Sequence, residues 1–173
     1  MIAAALRTGP PKGYQHTTLK IKSLKERTAR DDGLKEERSC TVPFGKSILI
    51  SPIEMLYSPV HQPGIKTEEE MRKCAKDDQG KVNLVRVTVD GVDVSDIKNY
   101  RVHSPLFNLT RPENNVQGVP AQEVQGVSDG YFVMLKPLSR GEHEIRSTGS
   151  LVGVTVEGTQ NFASDVIYHI RVE

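Results

Sequence analysis

The sequence predicts an all-β fold, an antiparallel β-sandwich or jelly-roll-like domain of about eight or nine strands with one short α-helix. Three observations predict it. Short apolar or alternating runs recur between Gly, Pro and Asp-Gly punctuation, a lone capping box marks one helix, and 173 residues suffice for one good core but not two.

The N-terminal segment does not share this texture. Residues 1–38 carry nine Lys/Arg against five Asp/Glu, a local balance of +4 inside a chain whose net charge is +1. Gly9-Pro10-Pro11-Lys12-Gly13 is a breaker cluster, Leu19 to Leu24 alternates only briefly, and Lys25 to Arg38 is polar throughout. Such a stretch has no face to bury. We therefore read 1–38 as a basic arm, poorly ordered or draped on the domain, and 39–173 as the β-sandwich.

From Cys40 the elements follow in order. Thr41 to Lys46 is a strand end and turn, and Ile48-Leu49-Ile50 between Ser47 and Pro52 is a buried strand. Thr67-Glu68-Glu69-Glu70 forms a capping box opening a helix to about Asp77, with acids first and Arg72, Lys73 and Lys76 later, as the helix dipole favours. Val82 to Val89 alternates as a half-buried strand, and Asp90-Gly91 turns it into Val92-Asp93-Val94. Tyr100 to His103 and Leu106 to Leu109 are short strands interrupted at Ser104-Pro105. Pro112 to Gly130, polar and rich in Gly and Pro, reads as a long loop, and such loops are disproportionately functional. Tyr131 to Leu135 is a central strand, and His143 to Arg146, Leu151 to Val156 and Val166 to Val172 complete the sheets.

Composition narrows the function classes. The basic arm has no aromatic residue beyond Tyr14 and Gln15-His16 follows it without any nucleic-acid module, which argues against nucleic acid as a partner. No run approaches the ~18 apolar residues of a membrane span. The apolar stretch Met1 to Leu6 is too short for the core of a signal peptide, so export would need a signal outside this chain. Cys40 and Cys74 are too few for structural zinc. They either pair or stay idle; a bond between them would close a loop of roughly 34 residues, add about 3–4 kcal/mol and imply an oxidising compartment.

Arg38-Ser39-Cys40-Thr41-Val42-Pro43-Phe44-Gly45-Lys46 resembles the opening motif of a family of largely uncharacterised exported prokaryotic β-sandwich proteins. Pro112-Glu113-Asn114-Asn115, Ser128-Asp129-Gly130-Tyr131, Gly141-Glu142-His143 and Tyr168-His169-Ile170 resemble its later blocks, so that the likeness spans residues 38–173. The resemblance implies an exported protein with Cys40 paired to Cys74 and no established chemistry. Members carry a Trp-rich N-terminal region, and this chain has no Trp.

Three clusters could carry chemistry. His143, Asp165 and His169, beside Glu142, offer a catalytic or metal-binding group if their strands form a hairpin, although Glu142 and His143 must point to opposite faces. Asp90, Asp93 and Asp96 offer oxygens to a divalent metal such as calcium, without the spacing of an EF-hand. Glu113, Asn114, Asn115 and Asp129 line the long loop as candidate ligand-binding residues. A Ser104 or Ser128 nucleophile served by His103 or His143 is a further arrangement, but no Gly-x-Ser-x-Gly elbow occurs.

The leading expectation is an exported or surface-associated module binding a small molecule or surface glycan, with no cofactor beyond such a metal. Its rival is a small hydrolase of an ester or lactone using the His143, Asp165 and His169 group. Oligomeric state is not encoded legibly.

Overall fold

The computed structural model describes residues 35–60, 64–115, 118–155, 158 and 160–173. Among them are nine strands and one α-helix: β1 Lys35–Val42, β2 Ile48–Tyr57, α1 Glu68–Gln79, β3 Val82–Val89, β4 Val92–Asp93, β5 Arg101–His103, β6 Phe107–Arg111, β7 Gln122–Leu135, β8 Gly141–Val154 and β9 Gln160–Val172. One sheet runs β1-β9-β8-β3-β4; the other runs β2-β7-β5, with β6 also paired to β7. This is the all-β sandwich with one short helix that the sequence predicts.

The core follows from alternation. Along β8 the residues Ile145, Ser147, Gly149 and Leu151 are buried while the residues between them are not, so one face turns to the opposing sheet. Ile145 and Val87 from the five-stranded sheet meet Ile50 and Val133 from the other in one apolar cluster. Full burial of a side chain such as Ile145 contributes about 1.5–3 kcal/mol. The sheets approach closely at Gly149, where a Cβ would lie 2.5 Å from the Pro52 carbonyl oxygen, so only Gly fits.

A second cluster sits under the helix. Met71 and Ala75 of α1 pack on Tyr57 of β2 and Val127 of β7. The capping box is formed as the sequence predicts, with the Thr67 hydroxyl accepting from the Glu70 amide and the Glu70 carboxylate accepting from the Thr67 amide at 2.9 Å.

Several elements differ from the sequence reading. The stretch 122–130 is not loop but the first part of β7, which continues through Tyr131–Leu135 as a single strand of 14 residues. Its glycines are there for close approach: a Cβ on Gly130 would lie 2.6 Å from the Glu54 Cβ, and one on Gly126 2.8 Å from the Tyr57 carbonyl oxygen. Likewise the two short strands after Pro137 are one long β8, reaching Val154. The first strand begins at Lys35 and pairs parallel with β9, so four residues of the expected arm belong to a sheet whose other pairings are antiparallel. Residues 1–34 lie outside the described residues. The interruption at Ser104-Pro105 is as expected, separating β5 from β6 along β7.

The disulfide implied by the resemblance is not formed. Both cysteines are free thiols. Cys40 packs against the core between the sheets and Cys74 against the cluster under the helix, so the two occupy different cores. Burial pushes both thiols above their ordinary value, which lowers their reactivity.

One buried group at the end of α1 has no compensation. Gln79 is 1% exposed, and among the described residues neither its Oε1 nor its Nε2 has a hydrogen-bond partner. A buried amide left unpaired costs about 1–3 kcal/mol. Gln79→Met, similar in volume and free of polar hydrogens, is therefore expected to raise the unfolding free energy by about 1–2 kcal/mol in urea denaturation. A fall in stability would show that the amide is hydrogen-bonded in solution.

Candidate functional site

The group with the most constrained geometry is centred on Asp129, in the middle of β7. Its side chain is 2% exposed. The adjacent strand β5 aligns His103 with Asp129 and Arg101 with Tyr131, so Arg101 and His103 share the face on which Asp129 stands. Arg101 grips the carboxylate with two parallel bonds, Nε to Oδ1 at 2.9 Å and Nη2 to Oδ2 at 2.8 Å. His103 stands beside them, with Nδ1 2.9 Å from Oδ2. The bond to Asp129 holds the Arg101 guanidinium above its ordinary value, against the opposing effect of burial.

The helix completes the arrangement. Arg72, one turn before Lys76, donates from Nη1 to the Ser104 carbonyl at 2.8 Å, and Arg101 Nη2 lies 3.4 Å from the Lys76 carbonyl. The two arginines thus tie α1 to the strand β5 from both sides. Between them lies a cleft of about 260 Å³ lined by Arg72, Ala75, Lys76, His103, Val127, Ser128 and Asp129. His103 remains 58% exposed at its mouth, its Nδ1 turned to the carboxylate and its Nε2 therefore turned away from it.

The two serines nearby are committed elsewhere. Ser104 Oγ donates to the Pro105 carbonyl at 2.7 Å and accepts from the Ser128 amide at 2.8 Å. Ser128 Oγ lies 3.4 Å from Glu54 Oε2, a carboxyl that desolvation raises above its ordinary value although the residue keeps an exposed edge. Neither hydroxyl is bonded to His103 among the described residues, so the expected nucleophile is not set up.

The other sequence-derived groups are dispersed. His143, Asp165 and His169 lie on the β8–β9 ladder, but Glu144 is opposite His169 and Thr148 is opposite Asp165, which puts His143 on the other face from both. Asp165 is taken by Arg146 through bonds of 2.8 and 2.5 Å, and His169 Nε2 lies 3.4 Å from Glu37. Asp90, Asp93 and Asp96 do not converge either. Asp90 bonds to His143 and the Glu144 amide, Asp93 pairs with Arg86 at 2.6 Å, and Asp96 begins a short 3-10 turn over Ile97–Tyr100. Among the described residues no group of three His, Cys, Asp or Glu side chains is arranged to hold a metal ion.

Asn115 folds its own loop, accepting from the Val119 amide at 3.3 Å and donating to the Pro112 carbonyl at 2.9 Å. Glu113 and Asn114 are exposed beside it, Asn114 in the left-handed region. Those three stand beyond the β6–β7 hairpin end, whereas Asp129 lies seven residues into β7, so the four do not form one site.

Arg72, Lys76 and Arg101 were not singled out from the sequence. The available signal was Asp129 itself, a charged residue inside the strand Gln122–Leu135 that has to find a cation. A comparison with family models, curated proteins and solved structures found no match to this chain. No described helix is long and apolar enough to cross a membrane.

His143 shows what the same pairing does in another setting. Its Nδ1 lies 2.7 Å from Asp90 Oδ2 and its Nε2 lies 2.9 Å from the Ser139 carbonyl oxygen and 3.2 Å from the Ser139 hydroxyl, so both ring nitrogens are engaged. The bond to Asp90 raises the imidazole above 6.5, and the bond to His143 lowers Asp90 below 3.8. The raised group stabilises fully below 6.5 and loses that contribution as pH rises through its folded value; the lowered group stabilises above 3.8 and loses it as pH falls. His143→Gln is therefore expected to destabilise most between these limits. Thermal unfolding across pH should show the gap to wild type closing on the alkaline side, and a gap constant through neutral pH would contradict the pairing.

Proposed function

We propose that the chain is a ligand-binding β-sandwich module and that the cleft between α1, β5 and β7 is its binding site. The observation that carries this reading is Asp129, buried, gripped by two bonds from Arg101 and lining, with His103 beside it, a cleft to which α1 supplies Arg72 and Lys76. Buried polar groups held this rigidly are costly, and they fix orientation at small-molecule sites. Of the two ligand types expected from the sequence, a small molecule fits better than a surface glycan. The lining residues include no aromatic ring on which a sugar could stack. Export remains part of the proposal on the strength of the motif resemblance alone.

A second reading is favoured by one observation. With Nδ1 turned to Asp129, His103 presents Nε2 outward in the manner of an oriented general base, and hydrolysis of an ester or lactone by activated water would use it. This replaces the His143, Asp165 and His169 group as the locus of that activity.

His103→Ala separates the two. For a binding module, ligands from a small-molecule screen should move the amides of His103, Val127, Ser128 and Asp129 in NMR spectra of the wild type, and the variant should bind them about fivefold or more weakly, with no turnover in either protein. For a hydrolase, ester or lactone turnover should be present and fall about 10²–10⁴-fold in the variant. Ligands that move only the amides near Asn115 would contradict both.

A further inference from the structure

The cleft is chemically one-sided. Both oxygens of Asp129 are engaged by Arg101 and His103, so the carboxylate offers little to an incoming cation. Arg72 is also spent, bonded to Glu68 at 2.8 and 2.6 Å and to the Ser104 carbonyl. The hydroxyls of Ser104 and Ser128 are occupied as described. On the same helix Lys73 holds Asp77 at 2.7 Å. Lys76 is different: among the described residues its ammonium has no hydrogen-bond or ion-pair partner, although it lines the cleft.

The charge balance follows. Arg72 is offset by Glu68 and Arg101 by Asp129, whereas Lys76, although its charge acts on Asp77, has no direct ion-pair partner among the described residues. Lys76, with its three donors, thus lines the cleft beside the exposed ring of His103. A cationic ligand would meet an unbalanced ammonium, and a neutral one would leave it without a counter-charge. An anion corrects both, through charge-assisted bonds that are about twice as strong as neutral ones.

We propose that this cleft binds a small organic anion through a carboxylate or phosphate group, held by the Lys76 ammonium beside the His103 ring, next to the Arg101–Asp129 pair. This rests on the reading of the cleft as the binding site and adds the chemical class of its ligand. The volume of about 260 Å³ equals that of roughly nine waters, which sets the ligand at the size of a small metabolite. Asp77 is the nearest acid along the helix, and its carboxylate is bonded to Lys73.

The test uses the full chain, titrated separately with inorganic phosphate, succinate, glycerol and choline while the amides of Val127, Ser128 and Asp129 are followed by NMR. Phosphate or succinate should move these amides saturably; glycerol and choline should not. Lys76→Glu should weaken the anion at least tenfold and lower the unfolding temperature slightly, because it reverses the charge in the last turn of α1, whereas Lys76→Arg should retain both binding and stability. Equal binding by wild type and Lys76→Glu overturns the proposal, as does silence of the cleft amides toward both anions. If other screened molecules still move those amides, the binding-site reading stands while its anionic ligand is refuted.

Discussion

A carboxylate in the middle of a strand, with 2% of its surface exposed, can be kept there only by cations that reach it, and Asp129 sets this condition for half of the molecule. Arg101 meets it with two parallel bonds, and His103 Nδ1 stands 2.9 Å from the same carboxylate. Because both come from β5, a strand of only three residues acquires a fixed register on β7 that its length alone would not ensure. The same guanidinium reaches the Lys76 carbonyl, and Arg72 returns to the carbonyl of Ser104, so the helix is located by the same network. The cleft is the space these constraints leave between α1 and the sheet.

Two His–Asp pairs in one chain show how context decides chemistry. At His143 the second ring nitrogen is bonded to a carbonyl, and the side chain is 11% exposed where the β3–β4 turn meets β8. That pair fastens loops. At His103 the ring is 58% exposed at the cleft, and its second nitrogen has no hydrogen-bond partner among the described residues. The outer face of the five-stranded sheet holds a further pair, Arg146 with Asp165, of the exposed kind that contributes about 1 kcal/mol or less. Burial of the acid and freedom of the second nitrogen, more than the residue types themselves, distinguish the candidate site.

Much of the fold is legible where local rules act alone. The Thr67 capping box, the alternation of Val82 to Val89 and the Asp90-Gly91 turn each specify their element within a few residues, and each is present. The reading fails where an element depends on a distant neighbour. Gly126 and Gly130 look like loop residues until Tyr57 and Glu54 are brought against them, and the parallel pairing of Lys35 to Val42 needs β9, more than 120 residues away. The site fails for the same reason. His143, Asp165 and His169 cluster in sequence-based pairing, yet the β8–β9 register divides them between two faces. Asp129 was visible as a candidate, whereas Arg101 meets it only when β5 pairs with β7, and Arg72 and Lys76 share its cleft only after the helix folds over β7.

The claim on which this account rests is that the Arg101–Asp129 pair is a buried, coupled unit, and a double-mutant cycle measures it directly. Arg101→Gln and Asp129→Asn should each destabilise, by about 3 kcal/mol where a buried charge is left unpaired. The double variant should lose less than the two combined, with a coupling of about 1–3 kcal/mol in urea unfolding. Additive losses, within about 0.5 kcal/mol, would show that the two side chains act independently and would remove the constraint from which the cleft was derived.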